Sequence, residues 1–406
     1  MQYEKLAQSI MAKYAIDTGL QRDPETGAIN RPRRYLWTDA FAVCNFIGFY
    51  KRYSDPIFLQ QALALVEQVH NVLGRHRDDS PKSGWISGLD HDEAKLHPTA
   101  GGLRIGKPQD ECHADAEIDS SAEWQQDGQY FHYLTKWMHA LNCVARATGD
   151  SQYNEWAREL AKTAHSKFVY DDYANPQRLK RIYWKMSIDL SRPRVLSMGH
   201  HDPLDGLLVY RQLQAYCEKT KGKPSNFNLS SEIEEMTAIV QAKEWATNDT
   251  LGAGCLLTDA YKLCQLIGLY QLDERHLFKR ILKDIESSLH HIIRGNFFST
   301  EASNRLAFRE LGLAIGLQTI SKMRQVLNEH SKEFQQVDSL NLILMRLSAY
   351  EPLHNIIENF WLQPKRQSLI VWQEHVDINN VMLATSLFPS GYIQLETKTT
   401  VHAAPL

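Results

Sequence analysis

The sequence has little that would tie the protein to a membrane, to nucleic acid or to an export pathway. Its 406 residues contain no apolar run of about 18 or more, the length that a membrane-spanning helix needs. Near the start, Glu4, Lys5 and Lys13 interrupt what would have to be a continuous apolar core in a signal peptide. The formal net charge of −3 gives no electrostatic basis for binding nucleic acid or an anionic membrane. We therefore expect a cytoplasmic protein that binds neither.

Familiar cofactor and nucleophile motifs are also missing. There is no GxSxG, no P-loop and no dinucleotide fingerprint, so we predict no cofactor. Cysteines are few and lack CxxC spacing, and without an evident export signal we expect them to be reduced and mostly buried. The six are Cys44, Cys112, Cys143, Cys217, Cys255 and Cys264.

What the sequence does contain is a series of helix pairs, in which one helix is apolar nearly all round and the next on one face only. Residues 36–53 show the first pattern, typical of a helix buried among other helices, and residues 56–73 show the second. The alternation returns as 129–147 with 151–168, 204–218 with 230–245, 255–270 with 274–293, and 308–327 with 336–349. Helix 376–388 lacks a following partner and helix 3–16 a preceding one, so pairing them closes a ring of six.

An internal repeat supports this count. Residues 37–50 (WTDAFAVCNFIGFY) match residues 257–270 (LTDAYKLCQLIGLY) at half of their positions. In the ring these are the first and fourth inner helices, which would lie opposite each other, as equivalent units of a closed array. The sequence therefore predicts one all-α domain over residues 1–406, an (α/α)6 toroid of six helical hairpins with inner and outer helix rings.

Loop lengths indicate which face of the toroid carries the function. The links from inner to outer helices are mostly tight, whereas the links that enter the inner helices are long. The long links are 17–35, 74–128, 169–203, 246–254, 294–307 and 362–375, with 74–128 as the largest insertion. All of them would lie at one end, beside the N-termini of the inner helices. Long loops on a rigid scaffold are where binding and catalytic residues concentrate.

Polar and aromatic residues gather at these helix starts. The first inner helix is entered by Arg33, Arg34, Trp37 and Asp39. Arginine beside tryptophan suits a hydroxyl-rich or carboxylate-bearing ligand. Alternatively, Thr38 and Asp39 cap the helix, and their recurrence as Thr258 and Asp259 favours that structural role. Other candidate substrate-binding residues are Trp124, Asp127 and Tyr130 before the second inner helix, Asp259 in the fourth, Arg309 and Glu310 at the fifth, and Glu374 before the sixth. Arg309 and Glu310 could also simply pair with each other.

A metal site is a weaker alternative in the second link. His113, Asp115, Glu117 and Asp119 alternate there. Such residues can ligate zinc or hard cations, but their spacing satisfies no known ligand rule, so we predict no metal.

The candidate acid and base residues stand at the third and sixth inner helices. His200 and His201 precede Asp202 and Asp205, and a neighbouring carboxylate can orient a histidine that exchanges a proton near neutral pH. The structural alternative has Asp202 as N-cap followed by proline at the first helical position. His375 would be the sixth unit's contribution to the same mouth.

On these residues the chain resembles the N-acylglucosamine 2-epimerase family and the wider group of six-hairpin, (α/α)6-toroid sugar enzymes. Gly199-His200 is similar to that family's Gly-His-x-x-Glu motif, and His375-Val376 to its second, C-terminal catalytic histidine. The resemblance implies that His200 and His375 transfer protons on opposite sides of a sugar carbon, with Arg33 or Arg34 holding substrate oxygens.

The chain departs from the family's pattern at both motifs. Pro203 stands where the family has Glu, so Asp202 or Asp205 would have to substitute for it. Asp377-Ile378 replaces the Pro-Arg that follows the second histidine.

Three functions follow as expectations, all with a small carbohydrate as partner. The first is isomerisation or epimerisation of a sugar by the histidine pair, since deprotonation beside a carbonyl needs a base of near-neutral pKa. The second is glycoside hydrolysis by two carboxylates, which for inversion lie about 6.5–9.5 Å apart. Its candidates are Asp39, Asp115, Asp127, Asp202, Asp205 and Asp259. The third is a non-catalytic, sugar-binding toroid.

Overall fold

The computed structural model describes residues 2–111, 123–172, 180–220, 227–241, 243–295 and 299–396. The α-helices of the first half are α1 (Gln2–Asp17), α2 (Leu36–Tyr53), α3 (Pro56–Leu73), α4 (His91–Leu96), α5 (Phe131–Thr148), α6 (Gln152–Phe168), α7 (Asp202–Thr220) and α8 (Ser230–Gln241). Those of the second half are α9 (Thr250–Tyr270), α10 (Arg275–Arg294), α11 (Ala307–Leu317), α12 (Ile320–Glu329), α13 (Val337–Leu347), α14 (Leu353–Trp361), α15 (Pro364–Gln367), α16 (Ile370–Gln373), α17 (Val376–Leu387) and α18 (Ser390–Ile393). None of the described helices is long and apolar enough to cross a membrane.

Inner helices α2, α5, α7, α9, α11 and α17 form a closed ring. Each packs against the next in that order, and α17 returns to pack against α2. The two helices of the internal repeat, α2 and α9, therefore lie opposite each other as the sequence predicted. Their side chains are buried on nearly every face because each inner helix has neighbours on both sides and an outer helix behind it. The predicted toroid is confirmed.

The outer ring follows the prediction in five of the units. Helices α3, α6, α8 and α10 pack on α2, α5, α7 and α9, while the first helix of the chain, α1, packs on α17. Each outer helix buries one face only, so that on α10 the residues Leu277, Ile281, Ile285 and Leu289 are buried. The sixth hairpin is thus built from helices at the two ends of the described chain.

The fifth unit departs from the prediction. Residues 308–327 do not form one helix, because α11 ends at Leu317 and α12 starts at Ile320. Between them the hydroxyl of Thr319 donates to the carbonyl oxygens of Gly316 and Leu257. The pairing of this unit with 336–349 was also wrong, since α13 packs on α10 and α12 while α14 covers α11. Periodicity identified apolar faces here but not which neighbour covers them.

In the described parts of the links on the loop-bearing face there are five short strands. They are β1 (Gln129–Tyr130), β2 (Val169–Asp171), β3 (Lys180–Ile182), β4 (Lys185–Met186) and β5 (Pro193–Val195). Strands β1, β4 and β5 form one antiparallel sheet, and β2 pairs with β3. The first sheet ties the link before α5 to the link before α7, which fixes Tyr130 opposite Lys185 at the entrance of the ring.

Glycines let two inner helices approach more closely than side chains would allow. A methyl group on Gly254 of α9 would lie 2.2 Å from the carbonyl oxygen of Gly312 on α11. One on Gly316 would lie 2.6 Å from the carbonyl oxygen of Gly254. Both obstacles are main-chain atoms, so a larger residue would push the two helices apart and strain the closed ring.

We expect Gly254→Ala to lower the free energy of unfolding by about 1–3 kcal/mol, because the added methyl overpacks the contact between α9 and α11. Urea denaturation measures the change. Gly295→Ala is the control: its methyl would lie no nearer than 3.3 Å to another heavy atom, and the expected change is within about 0.5 kcal/mol. Equal losses in the two variants would contradict this account of the contact.

Candidate functional site

Side chains fill the centre of the ring. A cavity of about 10 Å³ lies on its axis, lined by Trp37 and Phe41 of α2, by residues of α9 and α11, and by Met382 and Tyr392. That volume holds about one water molecule. This cavity is too small for a sugar, so we place the candidate site above it, among the loops at the N-termini of the inner helices.

Larger cavities lie elsewhere among the described residues, including one of about 320 Å³ beside Ser321 and Arg324 of α12. One of about 350 Å³ lies between the C-terminal parts of α7 and α9, beside Arg211 and Tyr270. Another of about 490 Å³ lies outside the ring, between residues 300–305 and the segment around Arg366. We place the candidate site at the ring mouth instead, because several buried, partnerless polar atoms converge there.

At the first inner helix, Arg34 and Asp39 hold the fold together. Both are buried, and Arg34 Nη1 lies 3.4 Å from Asp39 Oδ1. The Tyr14 hydroxyl of α1 donates to the same carboxylate, and the amide of Tyr35 donates to its other oxygen at 3.0 Å. Arg34 Nη2 donates to the carbonyl of Thr18 at 2.7 Å. These bonds attach α1 to α2 and leave no Asp39 oxygen for a ligand.

A carboxyl cluster of Asp202, Asp205 and Asp259 lies just below the mouth, where α5, α7 and α9 meet. Asp205 is ion-paired with Lys136 Nζ at 2.8 Å, and its other oxygen accepts from the Thr135 hydroxyl. Burial by itself would raise the pKa of Asp205, but the positive charges of Lys136 and Lys262 hold it well below its usual range. Asp205 is therefore ionised, with both oxygens engaged.

The pKa values of the other two carboxyls, Asp202 and Asp259, are shifted in the opposite direction. Burial, and then the negative charge of Asp205, raises the pKa of Asp202 to about 7. The same two causes raise the pKa of Asp259 to about 7. Within the described ranges, Oδ2 of Asp202 and Oδ2 of Asp259 have no hydrogen-bonding partner. Only Asp202 also stands at the N-terminus of an inner helix, facing the loops.

His132, in the first turn of α5, connects this cluster to an aromatic wall. Its Nδ1 lies 3.8 Å from Asp202 Oδ1, and burial lowers the pKa of the imidazole, which keeps it neutral. Aromatic rings surround it: the centroids of Tyr130, Trp37 and Trp184 lie 5.5, 5.8 and 6.5 Å from that of His132. The aromatic wall thus consists of Trp37, Trp124, Tyr130, Tyr133 and Trp184, with Trp124 44% exposed to solvent.

Four polar atoms around His132 are buried without a partner in the part of the chain that the structure describes. They are Nδ1 of His132, Oδ2 of Asp202, Nε1 of Trp37 and the hydroxyl of Tyr130. Leaving such groups unsatisfied costs about 1–3 kcal/mol each. Unpaired donors and acceptors that lie together among aromatic rings suit a ligand that carries hydroxyl groups.

The histidines expected to transfer protons stand at the rim. His200 is exposed, with its ring 4.6 Å from that of His201. His201 bonds the Trp245 carbonyl at 3.0 Å, and burial lowers its pKa to about 4. His375 is exposed and packs edge-on against Phe308 at 5.7 Å. Since α7 and α17 are the third and sixth inner helices, His200 and His375 stand at opposite sides of the ring.

The remaining predicted residues lie in structural contacts. Asp127 is buried and accepts from Arg104 and from the Gly106 and Gly128 amides. Arg309 and Glu310 do not pair with each other.

Arg309 and Glu310 each have another partner: Arg309 pairs with Asp249 at 2.8 Å, and Glu310 is buried against Arg305 and the Trp361 indole. Arg33 pairs with Asp377, and Glu374 is exposed beside His375. His113, Asp115, Glu117 and Asp119 lie outside the described residues.

Sequence reasoning missed Lys136 and gave His132 no role. Lys136 is the one positive charge in direct contact with the carboxyl cluster among the described residues, and it lies inside a helix whose periodicity indicates only burial. A signal was present, because a lysine in the middle of an otherwise apolar inner helix needs a buried counter-charge.

We expect Asp259→Asn to stabilise the protein at pH 8 and to leave it nearly unchanged at pH 4. A folded-state pKa raised to about 7 means that Asp259 keeps a proton that the unfolded chain releases, so stability falls as pH rises from about 4 to 7, by about 1 kcal/mol per pH unit. The asparagine amide does not titrate, so this fall in stability with pH is absent from the variant. Asp39→Asn, the equivalent change in the internal repeat, is expected to destabilise by about 3–5 kcal/mol because Arg34 loses its partner. Denaturant titrations at both pH values measure the two effects, and destabilisation by Asp259→Asn at pH 8 would contradict the assignment.

Comparison with known proteins adds support for the fold. No family model and no curated protein matches the chain. Among solved structures, a GH76 α-mannanase of Bacteroides thetaiotaomicron is similar over 96% of each chain, with 10% identity and a TM-score of 0.52. Cellobiose 2-epimerase of Spirochaeta thermophila is similar over 95% of this chain and 97% of its own, with 12% identity and a TM-score of 0.47. A D-mannose isomerase is similar over 86% of each chain, with 10% identity and a TM-score of 0.43. The likeness to the mannanase shows a shared (α/α)6 toroid and, at this identity, the fold alone.

Proposed function

We propose that the protein is a carbohydrate-active enzyme that transfers a proton on a sugar held at the mouth of the toroid. The observation that carries the proposal is the group of four partnerless polar atoms around His132, enclosed by the aromatic wall. Indole and phenol rings stack on the apolar faces of sugars, while the convergent donors and acceptors bind hydroxyl groups. The toroid itself hosts many chemistries, so the argument rests on the site.

Asp202 is the group best suited to move the proton. Its pKa of about 7 lets it give or take a proton near neutral pH, where a general acid or base is most effective. One of its oxygens has no partner within the described chain, and its position at the start of α7 directs it to the loop-bearing face. His132 beside it can accept a hydrogen bond from the protonated form and so hold the carboxyl in place.

Isomerisation or epimerisation is the reaction that this arrangement favours. Removal of a proton beside a sugar carbonyl needs one base of near-neutral pKa, and its return to the other side needs a second group. Asp202 supplies the first. His200 lies on the same side as Asp202, whereas His375 is exposed at the opposite side of the mouth, where it could supply the second once a substrate lies between them.

Glycoside hydrolysis is the second candidate, favoured by the opposite pKa shifts of Asp202 and Asp205. A protonated and an ionised carboxyl are what such a reaction uses. Against it, both oxygens of Asp205 are already bound, by Thr135 and Lys136, so the ionised member would have to leave its partners before it could act.

Thermal denaturation against a panel of monosaccharides, disaccharides, amino sugars and uronic acids tests binding. A sugar present at about 100 times its dissociation constant should stabilise the folded state by about 2.7 kcal/mol. In Tyr130→Phe the sugar should bind about 3- to 10-fold more weakly, because one hydroxyl partner is lost.

Tyr133→Phe is the matched control. It removes a neighbouring hydroxyl that already bonds Tyr35 at 2.7 Å, so sugar affinity should not change. If no sugar shifts the midpoint at millimolar concentration, the carbohydrate proposal fails.

Asp202→Asn should reduce turnover by about 10²- to 10⁴-fold with little loss of sugar binding, because the amide keeps the shape and loses the proton. The pH profile of kcat/KM separates the two reactions. If Asp202 acts as the base of an isomerase, activity rises as pH increases through about 7, whereas a hydrolase with Asp202 as its acid loses activity above about 7. Unchanged turnover in Asp202→Asn would exclude Asp202 from the chemistry.

A further inference from the structure

A second cluster of chemically distinctive side chains lies away from the mouth, between the inner helices α2 and α5. Cys44 comes from α2, while His139 and Cys143 occupy one face of α5, four residues apart. Their two sulfurs and one imidazole nitrogen all lie within 4.8 Å of one another, and Cys143 Sγ lies 3.6 Å from His139 Nε2. Each of the three residues is at most 2% exposed.

The surrounding hydrogen bonds fix which imidazole nitrogen carries the proton. Arg146 can only donate, and its Nε lies 2.6 Å from Asn142 Oδ1, which must therefore accept. Gln212 donates to the same oxygen through Nε2 at 2.7 Å, and this leaves its carbonyl Oε1 facing His139 Nδ1 at 3.0 Å. Nδ1 of His139 therefore carries a proton and donates it to Gln212 Oε1.

The other nitrogen, Nε2, faces the Cys143 sulfur at 3.6 Å and the carbonyl oxygen of Tyr392 at 2.8 Å. Since the Tyr392 oxygen is an acceptor, this contact needs either a proton on Nε2 or a metal ion that both atoms bind. In the second case, Nε2, the Tyr392 oxygen and the two sulfurs form a group of four electron-pair donors in a fully buried place.

We propose that Cys44, His139 and Cys143 bind a structural zinc ion. Thiolate sulfur and imidazole nitrogen are the ligands that zinc prefers, and the nearby Tyr392 oxygen is a further donor. Binding replaces the two thiol protons with one divalent ion, so the buried site is electrically neutral. The Nδ1–H of His139 donating to Gln212 is the outer hydrogen bond that orients a metal-bound histidine.

The internal repeat provides a comparison within the same chain. Cys264 of α9 occupies the position equivalent to Cys44 of α2, and it is equally buried. Its sulfur contacts the Met323 carbonyl at 3.7 Å, and within the described ranges only Cys44, His139 and Cys143 bring three possible metal ligands together. The equivalent cysteines therefore have different surroundings, so Cys264 serves as the matched control.

The test uses the full chain without a histidine tag, denatured and refolded under reducing conditions with zinc or cobalt(II). We expect about one metal ion per chain and a thiolate-to-cobalt charge-transfer absorption. Zinc should raise the thermal midpoint by mass action. The cobalt absorption should be lost in Cys143→Ala and retained in Cys264→Ala.

Two results would overturn the proposal. One is the absence of thiolate-to-cobalt absorption in the unmodified chain after refolding, which needs no variant and so does not depend on whether a variant folds. The other is metal bound equally well by the chain and by a Cys44→Ala, Cys143→Ala double variant. Sugar binding at the mouth is measured separately and decides nothing about this site.

Discussion

Closure of the inner ring is the constraint on which the rest of the structure depends. Six helices must each contact two inner neighbours and an outer helix, so almost every inner position is buried. Where the main chains of α9 and α11 meet, at Gly254 and Gly316, only glycine fits. Filling the axis with side chains leaves no room inside, and the loops at the mouth become the place where a ligand can bind.

The same constraint explains the electrostatics of the site. A polar side chain on an inner helix cannot reach bulk water, so it must find a partner or change its protonation state. Asp205 and Lys136 form an ion pair, and the carboxylate of Asp205 is a fixed negative charge beside Asp202 and Asp259. The near-neutral pKa of Asp202 is therefore a consequence of where α5, α7 and α9 meet, rather than of its sequence neighbours alone.

The toroid could be predicted because its signals are repeated: all-round apolar helices, one-faced helices and the shared segment of α2 and α9. The pairing in the fifth unit could not be predicted, since nothing in the sequence near Thr319 indicates that α14 rather than α13 covers α11. For the site, the sequence predicted the loop-bearing face and the segment around Asp202, and the structure places the carboxyl cluster there. It could not separate Asp39 from Asp259, which occupy the same repeat position, because their roles depend on partners, Arg34 and Asp205, that the fold supplies.

Joining α1 to α17 in the sixth hairpin has a consequence for how the chain is made. During synthesis α1 emerges long before α17, and until then its apolar face, with Ala7, Met11 and Ala15, lacks its main partner and can pack only on α2. Completing the ring requires a contact between distant parts of the sequence, which is slow to form and leaves a partly assembled toroid open to aggregation. The nascent protein therefore has to protect α1, by transient contacts or by a chaperone, until the last inner helix has left the ribosome.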